Sequence, residues 1–122
     1  MSSSAKPIDI NDFKEAIADL GDSNLFSLKV QLENSISKLE ETNLILEQEI
    51  STVKENLKKE TNQGKLDDLK GDLTLFQESI EENMPVISNQ RERINTLNIE
   101  LTKRGLINEG KPISKEDEGV YL

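Results

Sequence analysis

The fold class this sequence predicts is all-α: an antiparallel coiled-coil helical hairpin, with a short N-terminal helix and a disordered C-terminal tail. Three observations predict it. Two long stretches carry apolar residues at alternating steps of three and four, the period of a helix with one buried seam. The stretch between them is short and turn-like. The composition is also thin in core formers. Of 122 residues, 34% are apolar and 32% charged, and the only aromatics are Phe13, Phe26, Phe76 and Tyr121. Such a chain suits an aliphatic seam better than a multilayered core, and its length suits one domain.

Residues 1–8 read as a flexible arm containing Pro7. The hairpin domain is expected over residues 9–104. Its first helix, residues 9–20, places Ile10, Phe13, Ile17 and Leu20 on one face. Asp9 is a plausible cap, and Ile8 and Phe13 are spaced as a hydrophobic staple. Gly21 suits a helix stop in the left-handed conformation, with Asp22 and Ser23 capping the next helix.

The second helix, residues 23–60, carries Leu25, Leu28, Leu32, Ile36, Leu39, Leu46, Ile50, Val53 and Leu57, with Asn43 standing in the series. From Leu25 to Ile36 the steps run three, four, four, an eleven-residue unit that locally unwinds a left-handed supercoil. A turn is expected at about 61–71, where apolar periodicity fades and Gly64 and Gly71 occur. The third helix then begins at Leu66 or at Asp72 and runs to 104. Its seam reads Leu66, Leu69, Leu73, Phe76, Ile80, Asn83, Ile87, Gln90, Ile94, Leu97, Leu101. Pro85 lies inside it, and a kink is expected there because proline removes one backbone donor and crowds the preceding turn. Lys103 and Arg104 suit its C-terminus, Gly105 its stop, and Leu106 is placed to pack back on Leu101. Residues 105–122 read as an acidic, flexible tail.

A short connection favours antiparallel neighbours. Centring the turn on residue 63 sets Leu57 against Leu69, Val53 against Leu73, Ile50 against Phe76 and Leu46 against Ile80. It also sets Asn43 against Asn83. A buried amide needs a partner, so an Asn–Asn layer fixes this register against slips. The first helix is expected to pack along Phe26, Val30 and Ile99 and is too short to cover the middle. Leu44 and Ile45 on one helix, and Met84 and Val86 on the other, then form an uncovered apolar belt beside Pro85, a candidate partner-binding surface.

The net charge of −9 disfavours nucleic acid and anionic membranes, and makes basic proteins the more natural partners. No apolar run exceeds three residues, so no membrane span is expected, and residues 1–4 lack the apolar stretch of a signal peptide. The expected location is cytoplasmic or nuclear. With no His and no Cys, the usual base, thiol nucleophile and soft metal ligands are missing. Carboxylate clusters such as Glu81-Glu82, Asp67-Asp68 and Glu116-Asp117-Glu118 lack a pocket that would shift their pKa, and Gly64 and Gly71 lack P-loop spacing. No catalytic residue, cofactor or metal is expected.

The residues now described resemble a known family. Pro7-Ile8, Phe13-Lys14, Ala16-Ile17, Glu33-Asn34-Ser35-Ile36, Asn43, Gly71-Asp72-Leu73, Ser79, Glu82-Asn83 and Glu92-Arg93 are similar to the fungal ATPase-dedicated proteasome assembly chaperone, a translation-machinery-associated protein family. The similarity covers about residues 7–100, and its weight rests on the matches off the seam. It implies a stress-responsive chaperone that binds AAA+ ATPase subunits of the proteasome regulatory particle, helps them pair, and leaves the finished particle. The short turn at 58–71 and the short ending depart from the family pattern.

A structural coiled-coil subunit of a hetero-oligomeric tethering or scaffold complex is the alternative. A prefoldin-like holdase fits less well, because residues 58–71 lack strand-forming alternation. Finally, Val120-Tyr121-Leu122 resembles the hydrophobic–tyrosine–any ending with which proteasomal ATPases and activators dock into the core particle, and is a candidate second contact.

Overall fold

The computed structural model describes residues 9–108. Three helices follow in order: α1 (Ile10–Ala18), α2 (Asp22–Lys59) and α3 (Gln63–Lys103), with no strand among the described residues. The chain divides into two compact units, one built from the stretches up to Glu33 and from Gln90 onward, the other from Asn34–Asn89.

The second unit is the antiparallel hairpin. Its connection is only residues 60–62, and side chains of the connection bind nearby backbone amides. The Glu60 carboxylate accepts from the Thr61 and Asn62 amides at 3.2 and 3.0 Å. Asn62 caps α3: its Oδ1 accepts from the Lys65 amide at 3.0 Å and its carbonyl from Leu66 at 2.9 Å. The expected turn over 61–71, and a helix start at 66 or 72, are therefore corrected: α3 begins at Gln63, with Gly64 and Gly71 inside it. The Asn62 cap and the half-buried Leu66, Leu69 and Leu73 together offset the weak helix propensity of two glycines, each costing about 1 kcal/mol relative to alanine.

Along the paired stretch the seam positions are those removed from water. Ile36, Asn43, Val53 and Ile87 are buried, and Leu46, Ile50, Leu57, Leu69, Leu73, Phe76 and Ile80 are half-buried. Two helices alone cannot enclose a seam residue on all sides, which is why so many stay half exposed. α3 remains helical through Pro85, whose ring faces solvent. The Glu81 carbonyl there loses the amide donor four residues on.

The first unit holds the true core. Phe13 and Ile17 of α1 meet Leu25 and Leu32 of α2 and Leu97 and Leu101 of α3, with Ile10, Leu20, Leu28, Ile94 and Ile107 packed around them. Ile17, Leu25, Leu97 and Leu101 are fully buried. Burial of this kind is worth about 1.5–3 kcal/mol per side chain. Here α1 sits on the seam itself. Phe26, Val30 and Ile99, expected to lie under α1, are instead exposed. The physical reason is that Phe13 and Ile17 gain more by closing on four leucines that two helices would leave half wet.

The caps differ in part from expectation. Asp9 does cap α1, its Oδ2 accepting from the Asn11 amide at 3.0 Å, whereas Ile8 lies outside the described residues. Gly21 is not left-handed; its carbonyl accepts from the Leu25 amide at 3.0 Å and so opens α2. Gly105, at φ 77°, is the left-handed stop, with Gly105 and Leu106 amides returning to the Thr102 and Leu101 carbonyls at 2.9 Å. Leu106 remains exposed, and it is Ile107 that packs on the core.

Candidate functional site

The expected surface lies in the hairpin unit and starts from its one polar layer. Asn83 Nδ2 donates to Asn43 Oδ1 at 2.9 Å, which pins the register in which these residues face each other. Asn43 Nδ2 spends its second contact on the Met84 sulfur at 3.6 Å, a weak acceptor. The layer joins the two helices of this unit through side chains that satisfy each other.

Rotation by 100° per residue then places the side chains around this layer. Leu44 and Met84 each follow a seam asparagine and lie on one flank. Ile45 and Val86 each precede a seam residue, Leu46 and Ile87, and lie on the other, because like flanks of antiparallel helices fall on the same side. All four are open to solvent, at 56% for Leu44, 53% for Ile45, 54% for Met84 and 43% for Val86. The single belt is thus two apolar flanks at one level.

One member was missed: Leu75, 58% exposed, precedes the seam residue Phe76 and shares the flank of Ile45 and Val86. The same off-seam spacing that singled out Ile45 was available for it. Val120, Tyr121 and Leu122 lie outside the described residues.

The electrostatic setting is one-sided. Between Leu39 and Val53, α2 carries Glu40, Glu41, Glu47 and Glu49 and no Lys or Arg. Between Gly71 and Asn89, α3 carries Asp72, Glu78, Glu81 and Glu82, again without a basic residue. Lysines return towards the turn, where Lys59 and Lys65 share a shallow depression with Glu60 and Asp68. The exposed apolar side chains therefore sit inside an acidic band.

A second constellation, in the other unit, is structural. Arg104 Nε donates to Glu100 and Nη1 to Asp22, both at 2.8 Å, while Nη2 donates to the Ile17 and Ala18 carbonyls at 3.2 and 3.1 Å. One guanidinium thus ties the end of α1 to the start of α2 and the end of α3. The Glu100 carboxylate, then Asp22, raise its pKa above the ordinary arginine value. Arg93 lies over the Phe13 ring, 5.3 Å from its centroid. The sequence suggested only a helix-ending base at 104. Nothing in local spacing reveals that α1 supplies the carbonyls. Among the described residues no helix is long and apolar enough to cross a membrane.

Comparison with known proteins gives two findings. Residues 9–108 match the family model described as the TMA17 helical domain. The chain is 35% identical over 103 residues to translation machinery-associated protein 17 of Saccharomyces cerevisiae, covering 81% of this chain and 68% of that protein. No solved structure matches.

Proposed function

This chain belongs to the TMA17 family, and on that premise we propose that it is a non-catalytic assembly chaperone, one that binds AAA+ ATPase subunits of the proteasome regulatory particle and promotes their pairing. The observation that carries the protein-binding part is the set of exposed apolar side chains, Leu44, Ile45, Met84 and Val86, on a register-locked hairpin. Apolar residues clustered on rigid helices are what a partner helix or groove can bury. The ATPase specificity rests on the resemblance at the off-seam residues, among them Glu33-Asn34-Ser35 and Gly71-Asp72. A chain without His or Cys supports binding over catalysis. The proposed location of this work is the cytoplasm or nucleus.

The test is affinity purification of the tagged chain from its own cells with mass spectrometry. Proteasomal ATPases without the proteolytic core are the expected catch. Recovery of a fixed set of other coiled-coil subunits would replace this reading with the scaffold. In the same assay, Leu44→Glu with Ile45→Glu should reduce ATPase recovery at least tenfold while helicity and melting change little, since both side chains point away from the seam. Undiminished recovery would dissociate the surface from the function.

A further inference from the structure

The flank of the hairpin unit that carries Ile45, Leu75 and Val86 combines exposed apolar side chains with charge. The three side chains each stand one residue before a seam position, Ile45 on α2 and Leu75 and Val86 on α3, and spread over about 16 Å along the hairpin axis, close to three helical turns. Between them on that flank lie the short side chains of Thr42 and Ser79. Each apolar residue also has an acid within one turn on its own helix: Glu49 beside Ile45, Asp72 beside Leu75, Glu82 beside Val86. The first base on this flank of α2, Lys38, lies two turns from Ile45.

We propose that this flank docks a basic amphipathic helix of a partner protein, its apolar stripe lying over Ile45, Leu75 and Val86 and its lysines or arginines over the flanking carboxylates. The inference deepens the proposed function and rests on it: it states the chemistry of the segment the chaperone grips. Charge complementarity selects the occupant. A second copy of the chain would bring one acidic band against another, and like charges at such an interface repel. An acidic helix meets the same repulsion. The opposite flank offers only Leu44 and Met84, and Met84 is already tied to Asn43.

The test uses the full-length chain and three designed helical peptides. One carries leucines along a three-turn stripe with lysines elsewhere, one has glutamates for those lysines, and one has the lysine composition with its leucines scattered. In nuclear magnetic resonance titrations the striped lysine peptide should shift amides around Ile45, Leu75 and Val86. Its affinity should fall tenfold or more between 50 and 500 mM salt. The other two peptides should bind at least tenfold more weakly. Ile45→Ser with Leu75→Ser should weaken the striped lysine peptide at least tenfold, and Thr74→Ser with Gln77→Ser, exposed on the opposite flank, less than twofold. Glu49→Lys with Glu82→Lys should reverse the preference towards the glutamate peptide.

Equal binding of the scattered peptide, or shifts centred on the Leu44 flank, would overturn the inference. A doubling of mass in sedimentation at the same concentrations would replace the partner helix with a second copy. If ATPase recovery stands while the striped peptide fails to bind, only this inference falls. If the peptide binds as expected and no ATPase is recovered, only the proposed function falls.

Discussion

At the scale of single residues, two side-chain arrangements carry more than their sequence signals suggest. Asn43 and Asn83 are the only polar pair in the seam series of the hairpin unit, and their 2.9 Å bond satisfies the one group that would be costly to leave dry. Replacing only Asn83 with leucine strands the buried Asn43 carbonyl and should cost about 1–3 kcal/mol in urea denaturation. Replacing both with leucine should recover that loss or exceed it, because an apolar layer has nothing to satisfy. A double variant less stable than Asn83→Leu alone would show that the layer contributes more than register. Arg104 is the other case: four bonds from one planar fork, reaching three helices, which a lysine's point charge cannot reproduce.

At the scale of elements, the helices are long because their seams are continuous, not because every residue favours a helix. α3 absorbs Gly64, Gly71 and Pro85 without interruption. Pro85 faces solvent, so no packing depends on its ring. Pro85→Ala restores an amide donor to the Glu81 carbonyl and should stabilise the chain, by up to about 3 kcal/mol, seen as a higher urea midpoint. An unchanged or lower midpoint would mean that α3 is bent at this proline and that the bend is used. The turn offers the opposite lesson. Three residues suffice because Glu60 and Asn62 fold their own side chains onto the backbone amides.

At the scale of the whole molecule, stability is unevenly shared. The unit containing α1 has fully buried leucines from both long helices, whereas the hairpin unit has a half-buried seam. Native-state hydrogen exchange should therefore be slowest around Leu25, Leu97 and Leu101 and fastest in helical residues beside the turn, near Leu57 and Leu69. Leu97→Ala should cost about 2–5 kcal/mol, and Leu69→Ala clearly less, because a half-exposed site leaves little cavity. Uniform exchange along α2 and α3 would contradict this gradient. A hairpin unit whose own seam is lightly held is suited to present side chains to a partner helix.

What the amino-acid sequence determined by itself was the period: three helices, their seams, and the pairing of Asn43 with Asn83 all follow from spacing, since a helix reports its buried face every three or four residues. Ile45, Leu44, Met84 and Val86 were legible as off-seam residues for the same reason. Tertiary structure alone decided where α1 docks, because Phe13 and Ile17 had two apolar surfaces to choose from and the choice turned on which leucines were left wettest. It alone brought the Ile17 and Ala18 carbonyls to Arg104, a meeting of groups more than 80 residues apart that no local pattern records. It also decided the start of α3, where a capping asparagine and the packing of Leu66, Leu69 and Leu73 together offset two glycines.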